Sequence, residues 1–287
     1  MLDSAGASFS VSGDSDGRWP LVMASPHSGR DYPPAFLAAA RLGLQQLRRA
    51  EDPLVDELLD GVAGVPVLRA RYARAFLDLN RAADELDPAM FEGAPPQPSR
   101  HTDRVAAGLG VLPRVAGQGM DIYRRRLAPA DAAARIEALH RPWHARIGEL
   151  LERARRRHGF AILIDCHSMP PPPGPMAPQI VLGDRHGSSA DPGLVTLIEA
   201  HFRACGWRVG RNIPYAGGHT TEFHGRPAEG FHAVQIEIDR SLYLEPYRMQ
   251  RNARFDTVAM ALSALAQRLV EDAVGLGLTP PFREAAE

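Results

Sequence analysis

The chain reads as α/β: a single domain on a central, mostly parallel mixed sheet with helices on both faces. Three features predict this. Short apolar runs such as Trp19–Ala24, Phe160–Ile164 and His232–Ile238 have the length of buried strands. Longer stretches with helical spacing, Pro129–Arg157, Asp191–Cys205 and Tyr247–Val274, alternate with them. Strands and long helices in alternation favour parallel pairing with both sheet faces covered. A chain of 287 residues is long enough to bury a sizeable core, and no internal repeat is visible.

The polar stretch Met1–Gly17 lacks a basic-then-apolar signal pattern and is expected to be a short lead-in, with one catalytic domain over 18–287. Trp19–Ala24 is a strand that ends at the tight loop Ser25-Pro26-His27-Ser28-Gly29. Pro34–Ala50 has helical spacing. Glu51 and Asp52, ahead of Val55, Leu58 and Leu59, are expected to open a further helix, where acids suit the helix dipole. Val65–Leu68 and Ala75–Leu79 read as strands. Asp84–Ala116, rich in Pro and Gly, reads as a long surface excursion. Pro129–Arg157 is one amphipathic helix with proline in its first turn. Phe160–Ile164 is a buried strand ending at Asp165-Cys166-His167-Ser168, and Pro170–Pro175 a stiff loop. Ile180–Leu182, Arg208–Val209 and His232–Ile238 complete the strands.

Composition excludes several functions. The net charge of −1 offers no basic excess to neutralise phosphates, so nucleic acid is not an expected partner. All 33 basic residues are arginine, which removes Schiff-base, pyridoxal-phosphate and P-loop lysine chemistry together. Two cysteines, Cys166 and Cys205, make neither a disulfide framework nor a Cys-rich zinc site and suit a reducing cytoplasm. No stretch approaches the roughly 18 apolar residues of a membrane span.

Polar residues cluster at expected strand ends, where ligands of an open α/β sheet bind: His27, Asp78-Leu79-Asn80-Arg81, Asp165-Cys166-His167 and Glu237. His27 is either a surface-loop histidine or a ligand; Pro26 fixes its approach and Gly29 admits a close backbone. His167 is either hydrogen-bonded structure or a ligand. Two histidines at separate strand ends plus an acid match the three-ligand pattern of catalytic zinc. Glu51, Asp52 and Asp31 are open as the acid, and the first two also serve as capping residues. Gln235 and Glu237 share one strand face, opposite Val234, Ile236 and Ile238. An acid there is costly unless functional or paired, for example with Arg240. Arg74, Asn80 and Arg81 suggest a carboxylate-bearing substrate, though Arg81 can equally pair with Asp84 or Glu85. Asn212–His219, with Gly217 and Gly218, is a turn or a substrate-wrapping loop. The triplets Arg124–Arg126 and Arg155–Arg157 read as solvated faces, and Cys166 as no nucleophile, because His167 points to the other face of an extended chain.

These segments, with Gly183-Asp184, Asn212 and Leu242-Tyr243, resemble in order the N-formylglutamate amidohydrolase family from about His27 to Tyr243. That family is itself similar to the zinc carboxypeptidases and aspartoacylase in its hydrolase core. The resemblance implies a Zn2+ ion held by His27, Asp52 and His167, and Glu237 as general base. It implies further that Arg74 assists the carbonyl oxygen, that Asn80 and Arg81 bind the substrate carboxylate, and that Gly217-Gly218 borders the substrate. Where the carboxypeptidase pattern has a glutamate three residues after its first histidine, this chain has Arg30. The implied reaction is hydrolysis of N-formyl-L-glutamate in histidine breakdown. The alternatives are a deacylase for another small anionic N-acyl amino acid, or a non-catalytic paralogue that binds an acidic metabolite.

Overall fold

The structure, a computed structural model, describes residues 7–116, 119–246 and 248–278. In chain order its elements are β1 (Phe9–Ser12), β2 (Leu21–Ser25), α1 (Pro34–Ala39), α2 (Leu44–Leu47), α3 (Val55–Leu58) and β3 (Val67–Ala70). Then come α4 (Asp103–Ala106), β4 (Val115–Ala116), β5 (Met120–Asp121), α5 (Pro129–Arg135), α6 (Arg141–His158) and β6 (Ala161–Met169). The chain continues through β7 (Ile180–Gly183), α7 (Pro192–Ala204), β8 (Val209–Arg211), α8 (His219–His224), β9 (Phe231–Asp239) and α9 (Phe255–Asp272).

Seven strands form one sheet in the order β1-β3-β2-β6-β9-β7-β8, and β4 and β5 form a separate antiparallel pair. β2 with β6, β6 with β9 and β7 with β8 are parallel; β7 runs antiparallel to β9. Every residue of β2, β6, β7 and β9 is buried, as strands covered on both faces require. The expected α/β fold with a mostly parallel mixed sheet is therefore present.

The chain separates into two compact units. The first comprises the described parts of Met1–Val11, Ser25–Pro53 and Leu68–Arg146, the second those of Ser12–Ala24, Leu54–Val67 and Ile147–Glu287. In the second unit a contiguous core lies on one sheet face. Leu21 and Met23, Ile162, Ile164 and Cys166, Ile180 and Leu182, and Val234, Ile236 and Ile238 alternate along their strands and pack with α3, α7 and α9. The burial of Cys166 in this core agrees with its reading as no nucleophile. In the first unit Phe36, Phe76 and Tyr123 surround the buried Arg135, whose guanidinium lies 4.1 Å from the Phe76 ring centroid.

Several local expectations change. β1 lies within the stretch read as a lead-in, where Phe9 and Val11 alternate with serines. Pro34–Ala50 is not one helix: α1 stops at Ala40, which bridges to Tyr123, and Gly43 opens α2. Ala75–Leu79 is a turn, because the Phe76 and Leu77 amides donate to the Ala73 carbonyl and the Asp78 amide to that of Val111. Asp84–Ala116 buries Leu86, Met90, Phe91, Val105, Val111 and Leu112, so it is more than a surface excursion. The helix expected over Pro129–Arg157 is present but contains a π-turn at Ile136–His140, just before Pro142, which has no N–H to donate. The helix expected from Tyr247 begins at Phe255; Tyr247 itself lies outside the described residues. Among the described residues no helix is long and apolar enough to cross a membrane.

Ile236 is fully buried on the strand between β6 and β7, opposite Cys166 and Leu182. Truncation there leaves a cavity that rigid neighbouring strands cannot fill. Ile236→Val should cost about 0.5–1.5 kcal/mol and Ile236→Ala about 2–5 kcal/mol, measured by urea denaturation.

Candidate active site

In the second unit, the register of β6 and β9 sets Asp165 beside Gln235 and His167 beside Glu237. These four lie on the sheet face opposite the apolar core, since Ile164, Cys166, Val234, Ile236 and Ile238 take the other. The face is closed to solvent, so each polar group needs a partner. His167 Nε2 lies 2.9 Å from Asp165 Oδ2. Asp165 Oδ1 is buried with no hydrogen-bond partner. Gln235 accepts from the Gly218 amide at 2.9 Å and donates through Nε2 to Glu237 Oε1 at 2.8 Å. Its amide is thereby oriented at both ends and in turn orients the glutamate.

Gly218 stands at the start of α8 and Thr221 Oγ1 donates back to its carbonyl at 2.9 Å. Gly217 has φ +115°, and a Cβ there would meet Thr221 Oγ1 at 2.5 Å. Asn212, itself at φ +61°, accepts the Asp184 and His186 amides on Oδ1 and donates to Asp184 Oδ1 at 2.7 Å. Asn212 is thus tied to the segment after Gly183, and the next amide of that segment, Arg185, donates to the Ala216 carbonyl at 2.7 Å just before Gly217. α8 was not anticipated, because its six residues are too few to show a helical period.

In the first unit, His27 follows β2 by two residues and is 2% exposed. Its carbonyl accepts the Asp52 amide at 2.9 Å. Its Nε2 lies 2.7 Å from Asp78 Oδ1 and its Nδ1 lies 3.4 Å from Asp52 Oδ2. Gly29 is required here: a Cβ would sit 2.2 Å from the Tyr72 carbonyl oxygen, where Asp31 and Tyr72 bridge in parallel. Asp52 is not in the first turn of a helix, as expected from its charge. α3 starts at Val55, its first-turn acids are Asp56 and Glu57, and Asp52 is held by His27 instead.

Asp78 is the hub of this unit. Besides His27 it takes Arg74 Nε on Oδ2 at 2.9 Å and the Asn80 amide on Oδ1 at 2.9 Å, with Arg81 Nε at 3.9 Å. Burial alone would raise its carboxyl, but Arg74, His27 and Arg81 outweigh burial and hold it well below the ordinary carboxylate range. Burial pushes Arg81 down to about 10, partly offset by Asp78, so it stays a cation at neutral pH. Arg81 donates from Nε to the Leu109 carbonyl and from Nη1 to that of Asn80, both at 2.8 Å.

The two histidines share one pattern. Each directs Nε2 at a buried carboxylate, which orients the ring as the outer partner of a metal-ligating imidazole does. His27 Nδ1 in turn faces a carboxylate oxygen of Asp52. His27 and Asp52 of the first unit and His167 of the second are all buried side chains of metal-ligating type. One imidazole pair and a carboxylate suit zinc or a similar divalent ion. Within the second unit, strand β2 runs parallel to β6 with Ala24 beside Asp165, and His167 lies near the carboxyl end of β6. Asp78, Asp165 and Gln235, which orient these side chains, stand in the polar clusters of the sequence, but nothing in the sequence assigns them that role.

Comparison with known proteins agrees with the resemblance. The profile of the N-formylglutamate amidohydrolase family matches residues 19–244. A crystal structure of N-formylglutamate amidohydrolase from Ralstonia eutropha JMP134 superposes with a TM-score of 0.87 and 37% identity, covering 94% of this chain and 99% of that one. An N-formylglutamate deformylase from Pseudomonas aeruginosa is 31% identical over 276 residues, 91% of this chain and 95% of that protein. One from Pseudomonas putida is 31% identical over 241 residues, 80% of this chain and 83% of that protein.

α8 also carries a pH-sensitive group. Burial pushes the His224 imidazole down to about 3, helped by the charges of His219 and Arg226. The unfolded chain takes up this proton near pH 6.5 and the fold does not, so stability is present above about 6.5 and falls as the pH drops toward 3. His224→Gln should therefore flatten the stability–pH curve between about pH 6.5 and 4 in urea titrations. Parallel curves for parent and variant would show that this imidazole does not titrate with folding.

Proposed function

The chain belongs to the N-formylglutamate amidohydrolase family, and from that premise we propose that it hydrolyses N-formyl-L-glutamate to formate and L-glutamate. We place it in histidine breakdown in the cytoplasm, as a zinc-dependent amidohydrolase. The observation that carries the reading is the matched pair of histidines, each with Nε2 on a buried aspartate, the carboxylate–histidine arrangement that orients metal-ligating imidazoles.

In this reading His27, Asp52 and His167 hold one divalent ion. Such an ion would supply Lewis acidity and make water a better proton donor near neutral pH. Glu237, its carboxylate oriented by Gln235, takes a proton from the attacking water and delivers it to the departing amine nitrogen. Arg74 places positive charge by the developing oxyanion, a contribution of about 10²–10³ in rate for one such donor. Asn80 and Arg81 receive a substrate carboxylate, and Gly217-Gly218 borders the substrate where side chains are absent.

The test is formate release from N-formylglutamate. The protein should carry close to one divalent ion per chain, lose activity to a chelator and regain it with Zn2+. His27→Ala and His167→Ala should each lose the ion. Glu237→Gln should retain the ion and lose at least about 10²-fold in kcat, with KM little changed. Full activity in that variant would make Glu237 a structural acid. Absence of formate release with bound metal would redirect the search to other N-acyl amino acids.

The arginine assignment has its own measurement. Arg81→Lys keeps the charge but loses the planar fork, so kcat/KM for N-formylglutamate should fall about tenfold or more. An N-formyl amino acid amide without the α-carboxylate should be a poor substrate for both proteins and lose little in the variant. Equal losses on the two substrates would mean that Arg81 serves its loop, through Leu109 and Asn80, rather than the substrate.

A further inference from the structure

His140 and His144 stand four residues apart where the π-turn passes into α6, and both are buried. His140 Nε2 lies 2.8 Å from the Arg81 carbonyl oxygen, and His144 Nε2 lies 2.8 Å from that of Leu79. Their ring centroids are 4.5 Å apart. Between them, the Asn80 carbonyl accepts from Arg81 Nη1 at 2.8 Å. Three consecutive carbonyls, those of Leu79, Asn80 and Arg81, are therefore each held by a side-chain donor. No regular secondary structure fixes this segment, which is loop on both sides of Asn80. Two of these peptide planes are also held at their amide ends, by Asn80 N on Asp78 Oδ1 at 2.9 Å and Ala82 N on Glu85 Oε2 at 2.8 Å, so each histidine closes the carbonyl end of a plane gripped at the other. The same segment ties back to His27, because the Asn80 amide and His27 Nε2 share Asp78 Oδ1.

We propose that His140 and His144 are positioning residues that lock the Leu79–Arg81 peptide planes and so aim Asn80 and Arg81 at a substrate carboxylate. The proposal rests on the reading of Asn80 and Arg81 as the anion subsite. It explains a buried histidine pair that the reaction chemistry does not use. Each ring must donate from Nε2, because a carbonyl oxygen can only accept. Burial pushes the His140 imidazole down, favouring the neutral ring and keeping a further positive charge away from Arg81.

The substitutions separate hydrogen bonding from packing. His140→Leu and His144→Leu remove the donor, whereas His140→Gln and His144→Gln keep an N–H at nearly the same reach. The metal-loaded proteins are compared by amide hydrogen exchange over residues 78–82, by affinity for glutarate, a dicarboxylate that cannot be hydrolysed, and by steady-state kinetics. Each Leu variant should exchange about tenfold faster over 78–82, bind glutarate about tenfold more weakly and show a similar rise in KM, the weight of one net hydrogen bond. Metal content should be unchanged and kcat should move less than about threefold; the Gln variants should recover most of each loss. Unchanged exchange in folded Leu variants overturns the proposal. So does faster exchange with unaltered glutarate affinity, or a Gln variant no better than its Leu counterpart. A parent protein that binds glutarate but releases no formate would sink the deformylase reading, leaving exchange and glutarate affinity to decide the brace.

Discussion

The register between β6 and β9 is the constraint from which the second unit's chemistry follows. Because side chains alternate, the pairing that buries Ile164, Cys166, Val234 and Ile236 in the core also sets Asp165, His167, Gln235 and Glu237 together on the opposite face. A slip of one residue would send the apolar set out and the polar set into the core. The hydrophobic core on one face thus specifies the polar array on the other. No separate device is needed to bring histidine and glutamate side by side. The array is then refined by hydrogen bonds, from Gly218 to Gln235 to Glu237 and between Asp165 and His167.

The first unit solves the same problem without a regular element. Its polar residues lie on loops, so their placement depends on one buried carboxylate. Asp78 binds His27, Arg74 and the Asn80 amide, and nearby positive charge more than offsets what burial would do to its carboxyl. A buried anion of this kind organises its surroundings because leaving it unpaired is costly. The loop carbonyls downstream are in turn held by Arg81, His140 and His144. Strand pairing supplies geometry in one unit; charge and side-chain donors supply it in the other.

This difference explains what the sequence disclosed. Buried strands announce themselves by apolar runs, so Phe160–Ile164 and His232–Ile238 were legible, and the polar residues at their ends drew attention to His167 and Glu237. The polar half of β6 was not read as strand, since Asp165-Cys166-His167-Ser168 carries no apolar period, yet pairing with β9 extends through Met169. Ala75–Leu79 misled for the opposite reason: its apolar residues are buried by tertiary packing of a turn, which no local period distinguishes from a strand. Asp52 looked like a helix-opening acid and is a histidine partner, a relation across 25 residues that neither propensity nor spacing encodes. Orienting residues such as Asp78 are the least legible class, because their meaning lies wholly in what they touch.

The choice of arginine in this chain has a physical basis at Arg81. Burial pushes this guanidinium down to about 10, which leaves it charged at neutral pH. A lysine ammonium holds its proton less tightly and gives it up more readily on burial. A loop that presents a cation to a carboxylate from a buried position therefore needs a group whose proton is beyond reach of desolvation. The guanidinium also carries enough donors to hold the Leu109 and Asn80 carbonyls and still offer a charged edge. One side chain then fixes the loop and supplies the charge, two tasks that a single ammonium group, with its three donors around one point, does not combine.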